Sequence, residues 1–177
     1  GKRPALPLFK DLYGLQGAVV SAVDLIMGIG ICAGMEVLNV LGATGNIHTN
    51  FRGKALAALQ ALQTGADFVY LHVEAPDEAG HQGNTAIKVQ AIEEIDRQVL
   101  GTLLEGLPAI GDYKILLLPD HPTPLSIRTH TAEPVPYVIA SGAGQSHAAV
   151  GYSEASAAAT GIYVPDGPAL MRKFLRG

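Results

Sequence analysis

Residues 67–84 read DFVYLHVEAPDEAGHQGN. The first seven form a short apolar run with β-branched and aromatic residues, which predicts a buried strand over 67–73. The run passes directly into Glu74, Asp77, Glu78 and His81, with Pro76 and Gly80 to shape a turn. In α/β sheets, ligands bind beyond the carboxyl ends of the strands. The stretch is therefore either a solvated acidic loop or half of a metal site whose other half lies elsewhere.

Working outward, strands and helices alternate. GAVVS (17–21) and EVLNV (36–40) are short strands, separated by a helix over 22–34 that ends at Gly34. After the glycine-rich turn GATGN (42–46), Ala55, Leu56, Leu59 and Leu62 fall at helical spacing within 52–64, and Gly65 supplies a stop. A long helix is expected over 84–105, where Ile87, Ala91, Ile92, Ile95 and Val99 make one apolar face. YKILLLP (113–119) is the strongest strand, a continuous apolar run of the kind found at the centre of a parallel sheet. VPYVIA (135–140) is another strand, 141–161 reads as loop with a short helix, and PALMRKFL (168–175) as a last helix. This order predicts an α/β fold with a mostly parallel sheet flanked by helices, and residues 1–177 form one domain.

The bulk properties agree. At 177 residues, 48% hydrophobic and 16% charged, the chain is long and apolar enough to fold around a core. A net charge of −4 argues against nucleic acid or an anionic membrane as partner, since both need a basic surface. The lone Cys32 excludes an intrachain disulfide and fits a reducing, cytoplasmic compartment. No segment has the length and apolarity of a membrane span. The start, GKRPALPLF, has neither an initiator methionine nor a signal peptide, which is the expectation for a processed product or a fragment.

The chemistry gathers at strand ends. Asp77 and His81 follow the 67–73 strand, Asp120 and His121 follow KILLLP, and His130 precedes VPYVIA in the segment RTHTAE. Carboxylate and imidazole ligands suit Mn2+ or Zn2+, and the oxygen-rich share also tolerates Mg2+. No cysteine takes part, which argues against a structural zinc site. Each residue alone has an ordinary reading as a turn residue, a strand exit or a surface histidine. Their joint placement at one sheet edge puts a metal site on an equal footing with those ordinary readings.

VEAPDEAGHQGN, LLPDHPTP and THTAEPVPYVI together resemble the 2,3-bisphosphoglycerate-independent phosphoglycerate mutases, archaeal-type branch, of the alkaline phosphatase superfamily. SAVDLIMGIGICAGM, GATGN and TNFRGKALAAL extend the resemblance over most of the chain. It implies a partial alkaline-phosphatase-like core and two divalent metal ions, Mn2+ first, with Zn2+, Mg2+ or Co2+ as alternatives. Asp77, His81 and His130 would hold one ion, and Asp120 and His121 the second. The implied activity interconverts 3-phosphoglycerate and 2-phosphoglycerate through a phosphorylated serine or threonine.

The chain departs from the family pattern in two ways. The family's nucleophile and a further metal-binding aspartate lie near the start of the full-length protein, and no matching segment occurs here. This chain therefore reads as a C-terminal portion, inactive alone, with an incomplete second metal site. Family members also carry lysine where this chain has Met27, which removes a positive charge. Lys54 and Arg128 are candidate catalytic residues that would face phosphate or the substrate carboxylate, with Thr123 beside them. Glu74 and Glu78 would orient the ligands. His72 reads as a core or sheet-face histidine, His48 and His147 are unassigned loop residues, and Asp96 is structural. The competing readings are another two-metal phosphatase or phosphomutase, and a non-catalytic fragment. Strands left without neighbours would make an exposed edge, so either a homo-oligomer or a missing N-terminal half is expected as partner.

Overall fold

The parallel sheet follows from three short apolar segments. In the computed structural model, which describes residues 4–142 and 151–176, β1 (Gly17–Val20) lies between β2 (Glu36–Leu38) and β3 (Phe68–Leu71). Both pairings are parallel, with Ala18 opposite Glu36 on one side and Val69 on the other. As the central strand, β1 buries Ala18, Val19 and Val20 completely or nearly so. Helix α1 (Phe9–Tyr13) precedes the sheet, and α2 (Asp24–Cys32) and α3 (Phe51–Gln63) occupy the β1–β2 and β2–β3 connections. The α/β class with a parallel sheet and flanking helices is thus the observed architecture.

Helix α3 starts where its sequence allows a cap: the Asn50 side chain accepts from the Gly53 amide at 2.8 Å. Its buried face carries Phe51, Ala55, Ala58 and Leu59, and Phe51 and Ala55 meet Ala75, Ala91 and Val99 in the main core cluster. Full burial of a side chain like Phe51 contributes roughly 1.5–3 kcal/mol.

Three expectations need correction. The long helix of 84–105 is divided into α5 (Thr85–Glu94), a π-helical turn (Ile95–Leu100) and α6 (Gly101–Gly106). The reason lies in the apolar spacing. Ala91, Ile95, Val99 and Leu103, four apart, all face the core. On an α-helix such a row drifts by about 40° per step, and local underwinding keeps it aimed at Phe51 and Ala55.

Secondly, the stretch after β3 is a helix, α4 (Ala75–His81), where a turn was expected. Pro76 sits in its first turn with Asp77 and Glu78, and His81 in its last, an arrangement that complements the helix ends.

Thirdly, β4 (Lys114–Leu117) is not the centre of the parallel sheet. It pairs antiparallel with β5 (Val138–Ser141), Leu117 opposite Val138, and the two form a separate two-stranded ribbon among the described elements. An apolar run signals a strand but not the direction of its partner. Here β4 is only partly covered and β5 is exposed along its whole length. Helices α7 (Glu154–Ala159) and α8 (Gly167–Arg176) complete the chain. His147 lies outside the described residues.

Candidate metal centre

A helix places residues four apart on one face. On α4 those residues are Asp77 and His81, with His81 Nε2 3.3 Å from Asp77 Oδ2. The loop from β4 to β5 brings in His130, whose Nε2 is 3.3 Å from Asp77 Oδ1 and 3.0 Å from His81 Nε2. The three ligand atoms lie within 4.8 Å of one another, the one such group of three among the described residues.

These separations match the edges of a small coordination polyhedron. Bonds of about 2.0–2.1 Å to a tetrahedral ion put its ligand atoms about 3.4 Å apart. Tautomer agrees too. His81 Nδ1 lies 3.0 Å from the Arg128 carbonyl, so that nitrogen carries the proton and donates. Nε2 is left with its lone pair facing Asp77 and His130, as a metal ligand requires. The donor set therefore fits a divalent ion.

Asp120 and His121 adjoin this group without forming a second convergent triad. The His121 ring is 3.7 Å, centroid to centroid, from that of His130. His121 Nε2 is 3.5 Å from Asp120 Oδ2, and Asp120 is well exposed. All five residues named as metal ligands are thus contiguous, with three of them converging.

Lys54 and Arg128 are placed differently from each other. The Lys54 side chain is 0% exposed, and its Nζ donates to the His72 carbonyl at 3.1 Å, pinning the end of β3. Burial pushes its pKa down to about 8, opposed by the negative charge of Glu74. Arg128 adopts φ 55°, the left-handed region that costs a non-glycine residue roughly 1–2 kcal/mol. Its guanidinium lies over Gly83, so its chain's contribution to the centre is the carbonyl that His81 uses.

The surroundings are otherwise electronegative. Burial, then Asp77 and Glu78, raise the Glu74 carboxyl above its usual range. Burial lowers the His72 imidazole, while Asp120 opposes that shift. His72 Nδ1 is 3.3 Å from Ser21 Oγ, and Ser21 in turn accepts from the Val23 amide. Glu78 accepts from Gln82 at 2.7 Å. A shallow depression lined by Asn46, Ile47, His48, Glu78 and Gln82 lies on the opposite face of α4 from Asp77 and His81. Met27 sits half-buried on α2, and Asp96 in the π-helical turn.

Lys88 carries no expectation from the sequence, whereas Thr123 is already a candidate there beside Lys54 and Arg128; the two meet at the centre. Lys88 Nζ donates to the Thr123 carbonyl at 2.7 Å. Thr123 Oγ1 donates to Asp77 Oδ1 and lies 3.3 Å from His121 Nδ1. Lys88 has no recognisable sequence signal, because its partner is a backbone carbonyl.

The profile of the Metalloenzyme superfamily matches residues 2–161. The chain belongs to the Metalloenzyme superfamily. Within it, the chain is 53% identical over 176 residues to a probable 2,3-bisphosphoglycerate-independent phosphoglycerate mutase of Geobacter sulfurreducens, covering 99% of this chain and 44% of that protein. It is 48% identical over 178 residues to the 2,3-bisphosphoglycerate-independent phosphoglycerate mutase of Methanothrix thermoacetophila, covering 100% and 45%. The solved structure of the PH0037 protein from Pyrococcus horikoshii superposes with a TM-score of 0.78 at 32% identity, over 89% of this chain and 47% of that one. The chain thus spans less than half the length of these relatives. Membership in a metalloenzyme superfamily implies divalent metal binding, and Asp77, His81 and His130 form a candidate metal site. No helix among the described residues is long and apolar enough to cross a membrane.

Proposed function

We propose that the chain is the C-terminal part of a metal-dependent phosphoglycerate mutase that interconverts 3-phosphoglycerate and 2-phosphoglycerate through a phosphoenzyme. The observation that carries the proposal is the convergence of Asp77, His81 and His130 beside Asp120 and His121, in a chain similar to proteins of that name. Asp77, His81 and His130 would hold one divalent ion, and Asp120 and His121 would contribute to a second, with Mn2+ the first choice and Zn2+, Mg2+ or Co2+ the alternatives. When bound, such ions neutralise phosphoryl oxygens and make a hydroxyl a better nucleophile.

The chain's own residues prepare that chemistry. The Arg128 carbonyl keeps the His81 proton on Nδ1. Lys54 holds the end of β3, from which α4 departs, and leaves a cationic group behind the acidic cluster. The substrate carboxylate and phosphate would approach from the open side, where His130 and Asp120 are exposed.

Two hydroxyls near the centre are already engaged. Thr123 donates to Asp77, and Ser21 is buried with the Val23 amide and His72 as partners. That is in keeping with an attacking hydroxyl supplied from outside residues 1–177. The same reading treats those residues as one domain of a cytoplasmic protein with no nucleic acid or membrane partner. Either a second copy or an N-terminal half would cover the exposed β5 strand and the exposed Leu25 and Ile29 of α2.

The test uses a longer polypeptide containing residues 1–177, assayed with Mn2+ for conversion of 3-phosphoglycerate to 2-phosphoglycerate. Conversion that disappears in Asp77→Asn, with no product from the 177-residue chain alone, is the expected result. Release of inorganic phosphate without isomerisation would replace the mutase reading with a phosphatase. Turnover by the 177-residue chain alone would overturn its catalytic incompleteness.

A further inference from the structure

We propose that Thr123 and Lys88 form a positioning brace that orients Asp77 and ties the loop carrying His121 to helix α4. The proposal rests on the reading of Asp77, His81 and His130 as a metal centre.

The brace starts from a buried hydroxyl. Thr123 is 5% exposed, and its Oγ1 reaches both Asp77 Oδ1 and His121 Nδ1. A hydroxyl has one proton to give and two lone pairs. An ionised carboxylate can only accept, so the Thr123 proton goes to Asp77. Toward His121 the hydroxyl is then the acceptor, and the His121 proton sits on Nδ1. The Pro122 carbonyl, 3.4 Å from the same nitrogen, favours the same tautomer. The His121 Nε2 lone pair is left facing Asp120 Oδ2. One hydroxyl thereby serves a ligand from each group, Asp77 on α4 and His121 on the loop.

The hydroxyl is held from behind. Lys88, one turn into α5, donates through Nζ to the Thr123 carbonyl at 2.7 Å. Both atoms lie against α4 at Gly80. A Cβ at Gly80 would stand 2.7 Å from the Thr123 carbonyl oxygen and 2.9 Å from Lys88 Nζ. The absence of a side chain at Gly80 lets loop and helix come this close. Asp77 would otherwise be free to rotate about its side-chain torsions, and a ligand that must be ordered on binding binds more weakly. Groups that orient metal ligands in this way typically change affinity by about 10–100-fold when removed.

The experiment is calorimetric titration of the 177-residue chain with Mn2+, comparing the parent with Thr123→Val, Thr123→Ser, Lys88→Met and His130→Ala. Melting in EDTA serves as the control for folding. The expected result is a loss of about tenfold or more in affinity for Thr123→Val, with Thr123→Ser within about threefold of the parent because the hydroxyl is restored. Lys88→Met should fall between them, and His130→Ala should abolish the site. If Thr123→Val binds like the parent while His130→Ala does not bind, the brace is wrong and the metal centre stands. Should His130→Ala also bind like the parent, both readings fall together. If Thr123→Ser weakens as much as Thr123→Val while melting stays unchanged, the hydroxyl is not the operative group and the brace is refuted.

Discussion

His81 and His130, separated by 49 residues in the chain, bring their Nε2 atoms to 3.0 Å of each other. With the His81 proton committed to the Arg128 carbonyl, the His81 lone pair points into the space the two rings share with Asp77. Such an arrangement gains most from a cation. Excess Mn2+ should therefore raise the melting temperature relative to EDTA. At a hundredfold excess over Kd the stabilisation is about 2.7 kcal/mol, or roughly 5–10 °C for a chain of this size. Differential scanning calorimetry would read it, and His130→Ala should show no difference between the two conditions.

Arg128 separates a backbone role from a side-chain role. Glycine adopts a φ of 55° without the penalty an arginine pays there. Arg128→Gly should therefore retain Mn2+ affinity within about threefold, since the carbonyl that receives the His81 proton remains. Stability to urea should not fall by more than about 0.5 kcal/mol, the usual range for an exposed substitution. If phosphate or carboxylate binding uses the guanidinium, the Michaelis constant of the longer enzyme rises while metal affinity holds. Loss of metal affinity in Arg128→Gly would assign the side chain a part in the centre itself.

Lys54 links the site to pH. Its folded pKa is about 8 and its ordinary value 10.5. Between those two values the unfolded chain binds the proton and the folded chain does not, so this group's contribution to stability rises with pH across that window. Below about 8 both forms are protonated and the burial cost is constant. The full rise is on the order of 3 kcal/mol. Urea unfolding at pH 7.5, 9 and 10 should show a steeper rise for the parent than for Lys54→Met. Parallel profiles would mean the lysine titrates normally despite its burial.

Gly80→Ala sets two effects against each other. Alanine favours the helix by about 1 kcal/mol, yet its Cβ would fall 2.7 Å from the Thr123 carbonyl oxygen. Steric displacement of the loop should win at the centre. Mn2+ affinity is expected to drop by about tenfold even where the melting temperature in EDTA changes little. Unchanged affinity would mean that the loop can shift without disturbing Asp77.

Much of this was legible in the residues, and the exceptions share a cause. The strands β1 and β3 and the helix α3 announce themselves through apolar runs and helical spacing; β1 and α3 are deeply buried, while β3, expected to be buried, is only partly covered and exposes Tyr70. Helix α4 was hidden because its acidic, proline-containing sequence looks like a turn. Its signals were end effects: Pro76, Asp77 and Glu78 at the start and His81 at the close. The antiparallel direction of β4 was not legible, since an apolar run is silent about its partner. At the centre, the ligand types and their strand-end positions were readable, and the resemblance supplied their grouping. The contacts of Lys88 and Arg128 were not, because they run through the main-chain carbonyls of Thr123 and of Arg128 itself. Any residue offers a carbonyl, so no side-chain pattern records the choice.

The β4–β5 ribbon packs chiefly on itself, while the loop it carries is fastened to α4 and α5 by Thr123, Lys88 and the paired histidines. The centre is therefore also a seam. Ligands from the helical side and ligands from the ribbon side share one clasp, and an ion within it would add a further tie between the ribbon's loop and α4. Amide exchange in β4 and in α4 should then slow together when the clasp is filled, and separately when it is not.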